Sequence, residues 1–175
     1  DSPEFNLRVA RALRERGVAT VQYVSPQVWA WRQGRVRTIA EAVDLVLCVL
    51  PFEPAFYQSH EVDAVFVGHP LADRVPFESD PAAARAALGL ATTGQVVAVL
   101  PGSRGGEVSR LGPPFAATVA WLAARRPALG FVAPMANAAA RVIFERALRD
   151  HAPGVQVHLV DGHAQEVIAA SDAVL

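Results

Sequence analysis

The 175 residues are 52% hydrophobic and 19% charged, with 13 prolines and 12 glycines. That describes a folded globular chain with a sizeable core and many short connections, and excludes a disordered or fibrous one. A formal net charge of −1, from 16 Lys+Arg against 17 Asp+Glu, excludes bulk nucleic-acid binding, so any anion site has to be local. The lone Cys48 excludes an internal disulfide and fits a reducing, cytosolic setting.

In chain order, Pro3 to Arg16 reads as an amphipathic helix with Phe5, Val9, Ala12 and Leu13 on one face, opened by Ser2-Pro3 and stopped by Gly17. A strand follows over Thr20 to Val24, and Ser25-Pro26 breaks it. Val28-Trp29-Ala30-Trp31-Arg32 then opens a helix expected to reach Ala42, with Arg32, Arg35 and Arg37 near its start. Cations there oppose the helix dipole, so they are either paired with carboxylates, solvated, or waiting for an anion. Two tryptophans two residues apart cannot share one helix face, so at least one belongs at a helix end or in a cleft.

Asp44 to Leu50 is the next buried strand, and Phe52 to His60 the next helix. Glu53 lies just past the carboxyl end of that strand, where ligands sit in open α/β sheets; the plainer reading is a carboxylate satisfied by the helix dipole. Val65-Phe66-Val67 forms a third strand closed by Gly68-His69-Pro70, with His69 read either as a structural hydrogen-bonding residue or as a site residue. Residues 72–81, rich in Asp, Arg, Pro, Glu and Ser, read as a linker between two domains, 1–71 and 82–175. Beyond it come a helix over Pro81 to Leu88, a strand over Gln95 to Leu100, a helix opened by Pro113-Pro114, a strand over Leu129 to Ala133 and a helix from Asn137 to His151. A strand over Val155 to Val160, a helix over Ala164 to Ala170 and a strand starting at Asp172 complete the alternation. Repeated β-α alternation on both sides of a linker predicts two doubly wound α/β units.

The second unit is organised by Val96-Val97-Ala98-Val99-Leu100-Pro101-Gly102-Ser103-Arg104-Gly105-Gly106-Glu107. An uninterrupted apolar run is a parallel strand covered on both faces, and a glycine turn running into a helix leaves backbone N–H groups that favour an anion such as a diphosphate. Arg104 is placed to grip phosphate oxygens, or else is a solvated turn residue. Ser103 and Glu107 are one residue too far apart for a capping box, which leaves Glu107 seeking another role.

Several of these segments together carry a resemblance: Tyr23-Val24-Ser25-Pro26-Gln27-Val28-Trp29-Ala30-Trp31-Arg32, Leu50-Pro51-Phe52-Glu53, Phe66-Val67-Gly68-His69-Pro70-Leu71, and Leu100-Pro101-Gly102-Ser103-Arg104 with Glu107. In order and over nearly the whole chain, they resemble the motif set of bacterial lipid-A-disaccharide synthases. The opening Asp1-Ser2-Pro3-Glu4-Phe5-Asn6 is similar to that family's Asp-x-Pro-Asp-Phe-Asn segment, with Glu4 replacing the second acid.

The resemblance implies two Rossmann-like doubly wound domains of the GT-B type, both incomplete here: the later part of an acceptor-side domain over 1–71 and the first part of a UDP-sugar domain over 82–175. It implies a glycosyltransferase of lipopolysaccharide biosynthesis that joins a UDP-diacylglucosamine donor to a diacylglucosamine 1-phosphate acceptor. The product is the β-1,6 lipid A disaccharide phosphate, with UDP leaving and neither metal nor cofactor expected. Carried over residue by residue, Asp1 matches the general base and Arg104 the diphosphate-binding arginine, with Ser103 and Glu107 beside it. Trp31, Arg32, Glu53 and His69 are implied only as cleft-lining residues. The partners implied are the two lipid substrates and the cytoplasmic face of the inner membrane, held peripherally, with a homo-oligomer compatible and no nucleic acid.

The family's glycine-rich segment before Asp1 and its Ser-Gly-Thr turn after Asp172 have no counterpart, so both ends read as cuts through a larger protein and the piece alone is expected to be inactive. Two other readings stay open: a nucleotide-sugar epimerase of the same architecture, and a non-catalytic fragment.

Overall fold

The computed structural model describes residues 2–91 and 93–175, and the chain divides into two compact units, Asp1–Pro76 and Phe77–Leu175. The base expected at Asp1 lies outside the described residues.

The first unit runs α1 (Pro3–Arg14), β1 (Val21–Tyr23), a 3-10 turn (Gln33–Arg35), α2 (Val36–Ala42), β2 (Leu45–Cys48), α3 (Glu53–Gln58), β3 (Ala64–Phe66) and α4 (Pro70–Arg74). Its three strands are all parallel in the order β1-β2-β3, with Val21 opposite Leu45 and Leu47 opposite Val65. Strand alternation sends Val46 and Cys48 into a core with Leu7, Ile39, Ala42 and Tyr57. The same alternation leaves Val21, Tyr23 and Val65 exposed.

The second unit runs α5 (Pro81–Ala87), β4 (Val96–Ala98), α6 (Gly105–Arg125), β5 (Gly130–Met135), α7 (Ala138–His151), β6 (His158–Asp161), α8 (Ala164–Ala169) and β7 (Ala173–Val174). Its four parallel strands lie in the order β6-β5-β4-β7. Val97 and Val99 pack with Val108, Val119 and Phe144 from α6 and α7, whereas Val96 and Ala98 pack with Val167, Leu88 and Leu90 on the opposite face. Central strand β4 is therefore buried on both sides, as its continuous apolar run requires. Alternating helices and parallel strands in both units make the architecture Rossmann-like.

Local expectations are corrected in several places. The helix expected from Val28 begins only at Val36, after the 3-10 turn, because Arg32 takes a left-handed backbone (φ 55°) that no α-helix accommodates. Both Trp29 and Trp31 thus sit in the preceding turn. Pro113 and Pro114 do not start a helix but lie inside α6. Interior prolines cost about 3 kcal/mol or more in lost hydrogen bonds and crowding. Burial of Val108, Ala116 and Val119 against α7 offsets that cost, and Gly112, lacking a Cβ, eases the clash with the Pro113 ring.

Helix α1 turns Leu7, not Phe5, Val9 and Leu13, into the core; those three are exposed. Ser2 is its N-cap, yet its hydroxyl makes no capping bond. The expected linker overlaps the end of a short helix, since α4 runs from Pro70 to Arg74. The strand expected from Val155 pairs only from His158.

Candidate functional site

The turn between β4 and α6 lies at the carboxyl ends of the second sheet. Strand β4 is followed by β5 on one side and has β7 on the other, so the chain changes direction across the sheet at this strand. A crevice outside the carboxyl ends at such a switch is where open α/β sheets hold ligands. A cavity of about 560 Å³ opens beside it, lined by Leu100, Gly102, Ser103, Glu107, Met135 and His163, among others.

Gly102 has φ 120°, a conformation suited to glycine, and a Cβ there would come within 2.5 Å of the Glu107 side chain. The space is filled because Glu107 folds back over the turn. Its Oε2 accepts from Ser103 N at 2.9 Å and, more loosely, from Arg104 N at 3.4 Å. The helix begins one residue later than Ser103, with Arg104 as N-cap, so Glu107 stands at the third helical position and supplies half of a capping box. Arginine has no acceptor atom, so the reciprocal half cannot form. These backbone donors hold the Glu107 carboxyl below its ordinary value, with the Arg104 charge a smaller contribution.

Glu107 therefore uses two of the amides expected to greet a phosphate. The amides of Gly105 and Gly106, at the first two helical positions, have no intrahelical acceptor to find. The exposed Arg104 guanidinium makes no hydrogen bond among the described residues. Free amides and a free fork together can receive an anion.

A larger cavity of about 970 Å³ lies at the amino ends of β4, β5 and β6, lined by Gln95, Gly130, Leu148 and His158, among others. It faces the carboxyl ends of α6 and α7, whose dipoles disfavour an anion. The smaller cavity is the better candidate.

In the first unit, Glu53 is 1% exposed. Its Oε1 accepts from Trp29 Nε1 at 3.0 Å, and its Oε2 from Val49 N and Leu50 N at 3.1 and 2.9 Å. Expected as a lining residue, it is instead a buried brace, and any ligand would feel it only through the backbone and the Trp29 ring it holds. The Phe52 ring meets that indole edge-on at 4.7 Å. Below them Tyr57, fully buried, shares a 2.9 Å hydrogen bond with Ser25 Oγ, tying the 24–31 turn to α3. Burial pushes its phenol up to about 12, and pushes the Cys48 thiol up to about 11 with help from the Glu53 charge.

Trp31 is exposed, and the Arg32 guanidinium lies over its ring at 4.6 Å, a cation–π contact. Arg35 pairs with Glu4 at 2.7 Å, so one of the three clustered cations is satisfied by a carboxylate. His69 caps α4, its Nδ1 accepting from Leu71 N at 3.1 Å, which leaves the ring proton on Nε2.

Sequence reasoning missed Arg85 and Asp172. Arg85 is buried and donates to Ala170 O, Gly94 O and Asp172 Oδ2, and Asp172 Oδ2 also accepts from Val96 N at 2.7 Å. Arg85 lay in an Ala-rich helix, so only an arginine on a presumptive buried face could have flagged it. Among the described residues no group of three or more His, Cys, Asp or Glu is arranged to hold a metal.

The chain matches the Lipid-A-disaccharide synthetase family over residues 1–175. It is 53% identical to a lipid-A-disaccharide synthase of Hahella chejuensis, covering all of this chain and 44% of that protein. Identity is 51% to the synthase of Alcanivorax borkumensis, 45% of which is covered, and 53% to that of Pseudomonas aeruginosa, 46% of which is covered. The chain thus spans a little under half the length of these curated relatives. A match along every residue, carried by parallel α/β units with a glycine turn at the switch strand, makes this chain a member of the lipid-A-disaccharide synthetase family.

Proposed function

We propose that this chain is the central part of a glycosyltransferase of the GT-B type that makes the lipid A disaccharide. Residues 1–71 belong to its acceptor-side domain, 72–81 to a linker and 82–175 to its UDP-sugar domain. The donor is a UDP-diacylglucosamine, the acceptor a diacylglucosamine 1-phosphate, and the product the β-1,6-linked disaccharide phosphate. Asp1 takes the proton of the attacking hydroxyl, and Arg104 stabilises the charge that develops on the departing UDP. Ser103 and the Gly105 and Gly106 amides assist Arg104, while Glu107 holds the turn in shape. Trp31, Arg32 and His69 border the site at the carboxyl ends of the first sheet, and Glu53 braces Trp29 and the Val49–Leu50 backbone nearby.

Acylated substrates place the work at the cytoplasmic face of the inner membrane of a Gram-negative cell, with the protein held peripherally. No described helix is long and apolar enough to cross a membrane. The observation that carries this reading is the Arg104 fork, without a hydrogen bond among the described residues, next in sequence to two helix amides that have no intrahelical acceptor, at the switch strand of a parallel sheet. An epimerase would share that geometry, but the relatives reported above are named as synthases.

Calorimetry with UDP tests it. Arg104→Ala weakens UDP binding by roughly 1.5–3 kcal/mol, the range for hydrogen bonds to charged groups, and Arg104→Lys restores only part, because lysine lacks the planar fork. Uridine, with no phosphate to grip, shows almost no penalty. Equal penalties for both ligands would remove Arg104 from the phosphate site.

A further inference from the structure

A second, smaller cavity of about 410 Å³ lies in the first unit between the start of α1 and the carboxyl end of β1, lined by Ser2, Pro3, Asn6 and residues 22–26. It occupies the same kind of position as the phosphate site, beyond the carboxyl end of a parallel strand, but its chemistry differs. Among the described residues its lining holds no lysine, arginine, histidine, aspartate or glutamate; their polar groups are hydroxyls, side-chain amides and backbone.

Two of those groups are uncommitted. The Ser2 hydroxyl makes no capping bond although Ser2 is the N-cap of α1, and the Asn6 amide has no hydrogen-bond partner among the described residues. A third is pinned. Gln22 Nε2 donates to Tyr23 O at 3.0 Å and to Val24 O at 3.1 Å, which aligns its amide along the strand end. The backbone there is strained as well, for Val24, a β-branched residue, has φ 67°. Its amide nonetheless stays in the ladder, donating to Leu47 O at 3.0 Å.

Neutral groups that both donate and accept suit a ligand with several hydroxyls, and supply nothing to neutralise a phosphate. Asp1, the base of the reading above, immediately precedes Ser2 in sequence. We propose that this cavity is a sugar-hydroxyl subsite in which Asn6 positions the acceptor sugar. The identity of that sugar rests on the proposed function; the lack of any cation among the described lining residues does not.

The test titrates the isotopically labelled 175-residue chain with D-glucosamine 1-phosphate, with inorganic phosphate and, separately, with UDP, following amide resonances. The sugar phosphate shifts the Asn6 side-chain amide and the Val24 and Ser25 backbone amides, and inorganic phosphate does not. Asn6→Ala weakens that response at least fivefold while leaving helix content unchanged, as expected at an exposed helix position. Asn6→Gln restores part of it, and Gln22→Ala provides an independent loss.

Shifts confined to other residues, an undiminished response in Asn6→Ala, or equal shifts with inorganic phosphate would overturn the proposal. UDP reports through Ser103 to Gly106 in the other unit. A sugar response at Asn6 together with an Arg104→Ala penalty that is the same for UDP and uridine sustains the subsite and defeats the proposed function; a phosphate-dependent Arg104 penalty without a sugar response at Asn6 does the opposite.

Discussion

Glu53 receives three donors and almost no solvent, so what it does to stability follows from counting acceptors. Glu53→Gln keeps one oxygen and turns an NH₂ group toward N–H groups, leaving a buried donor unmet at a cost of about 1–3 kcal/mol. Denaturant unfolding measures the loss, and a changed Trp29 emission places it at the indole contact; an unaltered midpoint would mean the brace is dispensable. Cys48 and Tyr57 make a second case. Both are acids whose folded values, about 11 and about 12, lie above their ordinary 9.0 and 10.0. The unfolded chain therefore releases each proton first, so stability is intact below pH 9 and falls as the pH rises. Between pH 9 and 11 the Cys48 share is about 2–3 kcal/mol. Cys48→Ala flattens the pH 9–11 part of the profile and leaves the Tyr57 part, between 10 and 12, in place; an unchanged profile would clear the thiol of any role. Sequence reading reached the right neighbourhood for Glu53 and Glu107 but not their contacts. Trp29 is 24 residues from Glu53, and the role of Glu107 was hidden because the helix starts at Gly105, one residue later than a Ser103 cap assumes.

Both units use one device to join a helix to a strand edge. In the first, Asp44 precedes β2, accepts from Thr20 N at 2.8 Å and pairs with Arg14 of α1, which also donates to Ala40 O in α2. In the second, Asp172 precedes β7, accepts from Val96 N at 2.7 Å and pairs with Arg85 of α5, which also donates to Ala170 O at the end of α8. Each aspartate satisfies an N–H at or just before the start of a neighbouring strand, and each arginine meets a carbonyl near the end of the helix that precedes the aspartate. The two differ in burial: the Arg14 side chain is 39% exposed and that of Arg85 8%. Arg85→Ala accordingly costs about 1–3 kcal/mol, the usual result of leaving buried acceptors such as Ala170 O unmet. Arg85→Lys recovers little, because lysine cannot reach three acceptors from one planar fork. Asp172→Asn is milder, its side chain being half-exposed. Thermal unfolding of the three variants checks the order, and an Arg85→Ala protein as stable as wild type would show the clasp to be ornamental. Strands were legible because runs such as Val96 to Leu100 have one physical reading, buried on both faces. Helix limits were less so. Pro113-Pro114 and Trp29 to Trp31 carry local signals that tertiary packing overrides, and the arginine–aspartate clasps join residues about 30 and 87 apart, beyond any local pattern.

At the scale of the whole chain the two sheets contrast in how they are covered. Beta-alpha alternation was legible throughout, since it depends on composition and period; the degree of cover was not, since that depends on what packs against each face. The second sheet has helices on both faces. The first packs one face on α1, α2 and α3 and leaves the other with Val21 56%, Tyr23 50% and Val65 44% exposed. Register places these side chains with Leu45 and Leu47 as one apolar surface, because directly paired residues in a sheet share a face. All-parallel sheets are otherwise found covered on both sides, and contiguous apolar patches drive association. The 175-residue chain in isolation is therefore expected to self-associate through this face, with a sedimentation coefficient that rises with concentration. Val21→Lys with Val65→Lys places two cations on the surface without entering the core formed by Val46 and Cys48. That double variant should sediment as a monomer at concentrations where wild type does not, with an unchanged circular dichroism spectrum. Rising salt should weaken the double variant's resistance to association by screening the added charges. A wild-type chain that stays monomeric at high concentration, or a double variant that associates equally at low salt, would show that the open face is not what brings copies together.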